Sequence, residues 1–531
     1  MKKVKLIAKT FQGLEDVLAQ ELTELGAENI EKGRRVVSFE GDKEMMYRAN
    51  FELRTAIRIL KPIATFQAKT ADEVYDEVKK VDWTQYLELN TTFAVDSVVY
   101  SDDFRNSKFV SYKVKDAIVD FFREKTGQRP NISVADPNIR FNMHISDESC
   151  TLSLDSSGES LHKRGYRKAT VESPINEVLA AAMIRMTGWK GECDLIDPMC
   201  GSGTILIEAA LIARNIAPGI FRKNYAFEKW KDFDSDLLQK IYNDDSKERD
   251  FTHHIYGYDN DGSAIAVSNQ NIKSAGLTNE ITVAFQPIQK FTQPAEKAII
   301  VTNPPYGERV SSPNLLGLYK SIGEILKHQF VGNDAWLIGY HEETFEQIGL
   351  KPSLKISLYN GALNCLFNKY TIFNGQLKDF REKGGIVKTD EERQRNANRT
   401  RLKPHRDFHK PVPTDDTDPE IPDYMVRRHR QFIADQEIET RKAKRTDHGE
   451  KGRRENDGEE HAKDFSFGKK RFDSGKKPFG RDNGKKGGFK DFKSDKGTHF
   501  NSTKKNYGGG NNKNGGFKAF KSTKGKRNYE D

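Results

Sequence analysis

Asp194-Leu195-Ile196-Asp197-Pro198-Met199-Cys200-Gly201-Ser202-Gly203-Thr204 decides the fold. Its first four residues read as a short apolar strand ending in a carboxylate. Ile205, Leu206, Ala209 and Leu211 then read as a helix, which the pattern carries to Pro218-Gly219. Gly201 and Gly203 remove side chains where a ligand must approach the backbone. A helix N-terminus favours a carboxylate. Leu206 stands where G-x-G-x-x-G would need its third glycine, which argues against a hydride-transfer dinucleotide fold. No Gly-Lys-Ser/Thr follows, so the loop is no P-loop. The bland alternative is a tight strand-to-helix turn without a ligand.

A second strand, His254-Ile255-Tyr256-Gly257-Tyr258, ends in Asp259-Asn260-Asp261. A carboxylate at that strand end commonly holds both hydroxyls of a ribose. Asp259 is placed for this, and Asp261 for capping the helix that Gly276 ends. The loop therefore suits the methionine end of S-adenosylmethionine. Asp197, Pro198, Gly201, Gly203 and Asp259 are the candidate cofactor contacts. A third apolar strand, Ala298-Ile299-Ile300-Val301-Thr302, runs into Asn303-Pro304-Pro305-Tyr306. The prolines fix the backbone, so the Asn303 side chain and the Pro304 carbonyl point in set directions. Together they can accept both hydrogens of an exocyclic amine, while Tyr306 stacks on its base. Asn303, Pro304, Pro305 and Tyr306 are the candidate catalytic residues. Positioned acceptors and stacking suffice for attack on a sulfonium methyl, and no covalent nucleophile is needed. Cys200 is read as a small packing residue.

Outward from this site, β and α signals alternate over 173–380, the pattern of a parallel sheet covered by helices. Ser173-Pro174 reads as a helix start, with Ile175, Leu179, Met183 and Met186 on one face and Gly188 at its end. Residues 214–253 read as an insertion. Residues 1–60 form a small α+β unit: Val4–Ala8 as a strand, Leu14, Leu18, Leu22 and Leu25 at helical spacing before Gly26, then Val36–Phe39 as a strand. Residues 61–165 read as a second such unit, with strands over Thr92–Tyr100, a helix over Val110–Phe122, and a hairpin of Arg140–Ile145 with Thr151–Leu154. The link Leu161–Arg167 is basic, and Lys163, Arg164 and Arg167 are candidate phosphate contacts.

Residues 386–460 read as a charged linker with a helical pattern over Tyr424–Lys444, and 461–531 as a disordered basic tail. The tail holds no Ile, Val, Leu, Met or Trp and cannot build a core. It carries 20 Lys and Arg against 7 Asp and Glu, a surplus of 13, whereas the whole chain's surplus is 9. The body is thus net negative, and the basic character belongs to the tail. Its Gly-Lys-Phe texture, as in Lys485–Lys493, points to salt-sensitive contact with RNA. Cys150, Cys193, Cys200 and Cys365 form no C-x-x-C pair, so neither zinc nor a disulfide framework is expected. Met1-Lys2-Lys3-Val4-Lys5 opens no apolar leader, and no run could span a bilayer. A cytoplasmic monomer without a metal is expected.

Asp197–Gly203, Ile207–Ala210 and Asn303–Arg309 resemble the THUMP-domain ribosomal RNA guanine-N2 methyltransferases. Val114–Asp120 and Leu161–Arg167 are similar to that family's THUMP region and its exit, and Leu358–Leu363 to its final hairpin. The resemblance covers about residues 1–385. It implies a Rossmann-like class I methyltransferase domain over 166–385, preceded by a ferredoxin-like α+β segment over 1–60 and a THUMP RNA-binding domain over 61–165. It also implies S-adenosylmethionine as cofactor and structured large-subunit (23S) ribosomal RNA, or its precursor, as partner. The family usually carries an acid after its third strand. Here Ile281–Phe291 contains none, and Gln286 is the candidate acceptor for the adenine amine. The tetrapeptide serves guanine N2 or adenine N6 equally. A non-catalytic RNA-binding assembly factor is the rival from another class.

Overall fold

The computed structural model describes residues 3–373, apart from Ser173 and 307–311, and shorter stretches as far as Arg393. The expected basic tail, and nearly all of the expected charged linker, lie outside the described residues. In the N-terminal region β1 (Val4–Lys9), α1 (Glu15–Leu25), β2 (Glu28–Gly33), β3 (Val36–Gly41), α2 (Lys43–Glu52) and β4 (Arg58–Gln67) come first. They are followed by α3 (Ala71–Lys79), β5 (Thr92–Tyr100), α4 (Ser107–Thr126), β6 (Asn131–Ile132), β7 (Ile139–Ser146) and β8 (Ser149–Asp155). The helix boundaries follow local chemistry. Asp42, Thr70 and Asn106 each accept a backbone N–H of the first turn, and Gly26 and Gly127 take the left-handed conformation at the ends of α1 and α4.

All eight strands form one sheet, ordered β2-β3-β1-β4-β8-β7-β5-β6. The sequence reading divides this region after residue 60. The structure runs a strand through that point: β4 pairs with β1 over Arg58–Leu60 and with β8 over Leu60–Gln67. No linker separates the two α+β units, because the backbone groups of β4 are shared between them.

The second sheet belongs to the region that follows: α5 (Glu177–Thr187), β9 (Asp194–Asp197), α6 (Thr204–Ala213), α7 (Ser235–Tyr242), β10 (Ile255–Asp259), α8 (Gly262–Ala275), β11 (Ile281–Phe285), β12 (Ala298–Thr302), α9 (Ser312–Gln329), β13 (Asp334–Gly339), α10 (Glu342–Glu346), β14 (Leu354–Asn360) and β15 (Leu363–Thr371), then α11 (Leu377–Glu382). Its order is β11-β10-β9-β12-β13-β15-β14. The first five strands are parallel, and β14 and β15 form an antiparallel hairpin on β13. This is the Rossmann-like α/β sheet expected, with its topological switch beside β9.

Two helix boundaries differ from the sequence reading. α5 is capped by Asn176, whose side chain accepts from Val178 N–H at 2.9 Å. Pro174 precedes the helix, and Ser173 lies outside the described residues. The Ile175 carbonyl is taken by Arg167, which leaves Asn176 to start the helix. α6 stops at Ala213 because Asn215 adopts a left-handed φ of 54°, and Pro218 opens a separate 3-10 turn.

The insertion anticipated over 214–253 closes onto the N-terminal region. Phe227 stacks on Tyr47 of α2 with ring centroids 4.1 Å apart, and Tyr225 stacks on Phe227 at 5.2 Å. Arg222 donates to the carbonyls of Ser157, Glu159, Ser160 and Lys163. A β-carbon on Gly219 would meet the Phe51 carbonyl at 2.7 Å, so only glycine permits that approach.

The link between the sheets corrects two phosphate contacts expected from sequence. Arg164 is 2 % exposed and faces Glu208 of α6 at 3.4 Å, with Leu161 and Arg54 carbonyls as further acceptors. Tyr166 donates to the same Glu208 at 2.9 Å. Burial pushes the Glu208 carboxyl up, and Arg164 opposes the shift. Arg167 pairs with Glu177 at 2.7 Å and donates to Thr204 Oγ1 at 2.9 Å. Arg164 is held by a carboxylate 44 positions away and Arg167 by one 10 positions away. Lys163 alone of the three stays exposed, in a surface pair with Glu159. Removing one member of a buried pair strands the other charge. Arg164→Ala is therefore expected to lower unfolding stability by about 3–5 kcal/mol, read from urea melts of the full chain. A loss below about 1 kcal/mol would contradict this account.

Candidate active site

β10, β9 and β12 are parallel neighbours, with Gly257 opposite Asp197 and Ile300 opposite Ile196. Their C-terminal ends therefore deliver Asp259, the glycine loop and Asn303 to one edge. Hydrogen bonds join the three. Gly201 N–H donates to Asp259 Oδ2 at 2.9 Å, and Cys200 N–H to the Tyr258 carbonyl at 2.8 Å. Thr302 Oγ1 donates to Asp197 Oδ1 at 2.7 Å. Asp197 is 1 % exposed and also accepts from Met199 N–H. Its carboxyl, pushed up to about 7 by burial, ties the loop to β12 rather than facing outward. Pro198 is buried beside it.

Gly201 and Gly203 both take left-handed φ, 53° and 77°. A β-carbon on Gly203 would stand 3.1 Å from Ser268 Oγ. Ser268 and Asn271, one turn apart on α8, hold the loop from behind. Ser268 donates to the Gly201 carbonyl at 2.7 Å, and Asn271 to the Ser202 carbonyl at 3.0 Å. Asn271 is 1 % exposed and also accepts from Lys168 and Ala169 N–H. Gly203 supplies no side-chain cap to α6. The first-turn N–H groups of that helix are the ones a ligand carboxylate would meet. Cys200 is buried, and burial raises its thiol well above the ordinary value, which fits packing and not nucleophilic chemistry.

Asp259 Oδ1 accepts from Asp261 N–H, and each carboxylate oxygen has capacity to accept more. Asp261 caps α8 through Ser263 N–H, as the sequence indicates. Gln286 N–H donates to the Asp259 carbonyl, so Gln286 sits beside the ribose candidate. Its Nε2 is spent on the Lys290 carbonyl at 2.7 Å, and Oε1 is the end left to accept an amine.

Asn303 Oδ1 is buried and has no hydrogen-bond partner among the described residues. Such an acceptor costs about 1–3 kcal/mol unless something donates to it. Pro304 is buried; Pro305 and Tyr306 are half-buried. The Tyr306 hydroxyl accepts from Asn360 Nδ2 at 2.6 Å. Residues 307–311 lie outside the described residues. Among the described residues, no group of His, Cys, Asp and Glu could hold a metal ion, and no helix is long and apolar enough to cross a membrane.

Sequence reasoning missed Ser268, Asn271 and Asn360, and the role of Gly257. A β-carbon on Gly257 would overlap Leu206 at 2.4 Å, so the loop helix can close only on glycine there. The available signal for Ser268 and Asn271 was two polar residues on the same helix face as buried Ala264, Ile272 and Ala275.

Comparisons agree with this fold. Residues 5–60 match an RlmL ferredoxin-like domain, 68–155 a THUMP domain, and 164–369 an RMKL-like methyltransferase domain. A Synechocystis protein bearing an RNA methyltransferase name is 37% identical over 369 residues, 69% of this chain and 96% of that one. The chain belongs to this methyltransferase family. A ribosomal RNA large subunit methyltransferase K/L of Syntrophotalea carbinolica is 38% identical over 383 residues, 70% of this chain; the chain spans about half of that relative's length, 54%. Among solved structures, the methyltransferase is similar to SMU.472 complexed with SAH, with TM-score 0.64, 29% identity, and coverage of 71% of this chain and all of that one. It is equally similar to a Listeria monocytogenes protein described as an N6-adenine-specific DNA methylase, with TM-score 0.64, 32% identity, and coverage of 70% and 97%. The cofactor of the methyltransferase is S-adenosylmethionine. The side-chain-free loop, the Asp259 carboxylate and the free Gln286 oxygen fit its carboxylate, ribose and adenine.

Proposed function

We propose that the chain methylates the exocyclic N2 amine of a guanosine in large-subunit (23S) ribosomal RNA. The observation that carries this reading is the orphaned Asn303 Oδ1. A buried acceptor without a donor, beside a cofactor loop, suits a ligand that brings N–H groups. An exocyclic amine brings two. The K/L relative's name supports ribosomal RNA as substrate, and the THUMP domain supports docking on structured RNA.

Bound S-adenosylmethionine supplies an electrophilic methyl group. The chain's own residues do the positioning. Asn303 Oδ1 and the Pro304 carbonyl accept the amine hydrogens and concentrate electron density on nitrogen as it attacks. Tyr306 stacks on the base, which must be unpaired or flipped to reach this depth. The methylated amine loses one proton after transfer; Asn303 Oδ1 accepts its hydrogen bond but is no base, and solvent water takes the proton. The work is done in the cytoplasm, where large-subunit RNA is assembled.

The Listeria protein's description favours a second reading, methylation of adenine N6. Mass spectrometry of ribosomal RNA nucleosides, from cells with and without this gene, separates the two. Loss of an N2-methylguanosine is expected. Loss of N6-methyladenosine instead would move the assignment to adenine. No change in either would favour the non-catalytic assembly factor.

A further inference from the structure

Tyr306 is set by its neighbours and not by its backbone. The two prolines before it fix φ at 304 and 305, but nothing in the peptide fixes the two side-chain torsions of Tyr306. The hairpin of β14 and β15 supplies what the backbone lacks. Asn360 is the last residue of β14, paired with Leu363 across a turn in which Gly361 takes φ 60°. From that position its Nδ2 donates to the Tyr306 hydroxyl at 2.6 Å, shorter than the usual N–H···O separation. Cys365 on β15, itself buried, is the second group within reach of the same hydroxyl. The phenol packs against the same core as Trp336, Leu358 and Phe367.

We propose that Asn360 is a positioning residue for the methyl acceptor: it fixes the Tyr306 ring so that the flipped base has a set plane to stack on. This rests on the reading of Tyr306 as the base platform given under Proposed function. Among the described residues, the side-chain hydrogen bond of Asn360 goes to Tyr306 and not to the glycine loop or Asp259. Its strand lies at the opposite edge of the sheet, with β13 and β15 between it and β12. Its influence is therefore confined to the acceptor side of the site.

The test uses the full chain and large-subunit RNA purified from a strain lacking this gene. Asn360→Ala, and Asn360→Leu as a similar-sized side chain without a donor, are each expected to lower kcat/KM about tenfold, the equivalent of one hydrogen bond. Affinity for S-adenosylmethionine by calorimetry should stay within about twofold of wild type. Tyr306→Phe removes the hydroxyl that Asn360 holds. In that background, Asn360→Ala should then cost less than about twofold more, because the two changes break one interaction. A merely structural hairpin residue would give losses that multiply. Multiplying losses, full activity in both Asn360 variants, or a matching fall in cofactor affinity would overturn the inference. Absence of methyl transfer by the wild-type chain would instead overturn the reading on which it rests, and this inference with it.

Discussion

Asp259→Ala is expected to weaken S-adenosylmethionine binding by about 10²–10⁴-fold, enough to remove a measurable heat in calorimetry. The carboxylate has two duties. It accepts Gly201 N–H at 2.9 Å, which sets the glycine loop against β10. It also offers the acceptors that two ribose hydroxyls need. Each hydrogen bond to a charged group contributes about 1.5–3 kcal/mol, and alanine removes both ribose bonds at once. Alanine also leaves the Gly201 N–H without its partner, so the loop loses its shape as well as its ligand contact. Asp259→Asn keeps one acceptor oxygen and should fall between wild type and alanine. A dissociation constant for Asp259→Ala within about threefold of wild type would remove Asp259 from the cofactor site.

Asn303→Ala should lower kcat by about 10²–10³ while leaving cofactor affinity unchanged. Its oxygen is aimed at charge that develops only as the amine attacks, so the loss belongs in turnover and not in ground-state binding. The same substitution should leave folding stability level or slightly raised. Oδ1 has no partner among the described residues, and deleting an unsatisfied acceptor relieves a desolvation cost. Activity thus falls with no loss of stability, the signature of a group kept for chemistry. Steady-state kinetics on RNA together with a denaturant melt read both. Turnover within about threefold of wild type would sink the assignment.

Much of this site is legible in the sequence because each part is local. The glycine loop, Asp259 and Asn303 each follow directly on an apolar strand, and parallel strands bring their C-terminal ends to one edge. The ends at Gly26, Gly188 and Gly276 and the cap at Asp261 are equally local, and the structure places them as read. What sequence could not show is tertiary. Arg164 and Arg167 look like a solvated basic link. Glu208, which consumes Arg164, lies 44 positions away and declares itself only when α6 packs on the link. The hydrogen-bond partner of Asp197 is equally remote: Thr302 lies 105 positions away. Asn360 is a turn residue on one strand of a hairpin, and nothing in its neighbourhood in the chain points to Tyr306.

The strand β4 shared by the two N-terminal units, and the insertion that clasps them to the second sheet, have a consequence for how a substrate is chosen. On the function proposed above, the THUMP surface that would dock RNA and the cleft that would take the base are held at one separation, like the jaws of a calliper set to a single gap. An RNA whose gripped helix and target nucleotide stand at that spacing fits, and a longer or shorter one offers the cleft nothing, whatever its bases. On that reading, span rather than base sequence would set which nucleotide reaches the cleft.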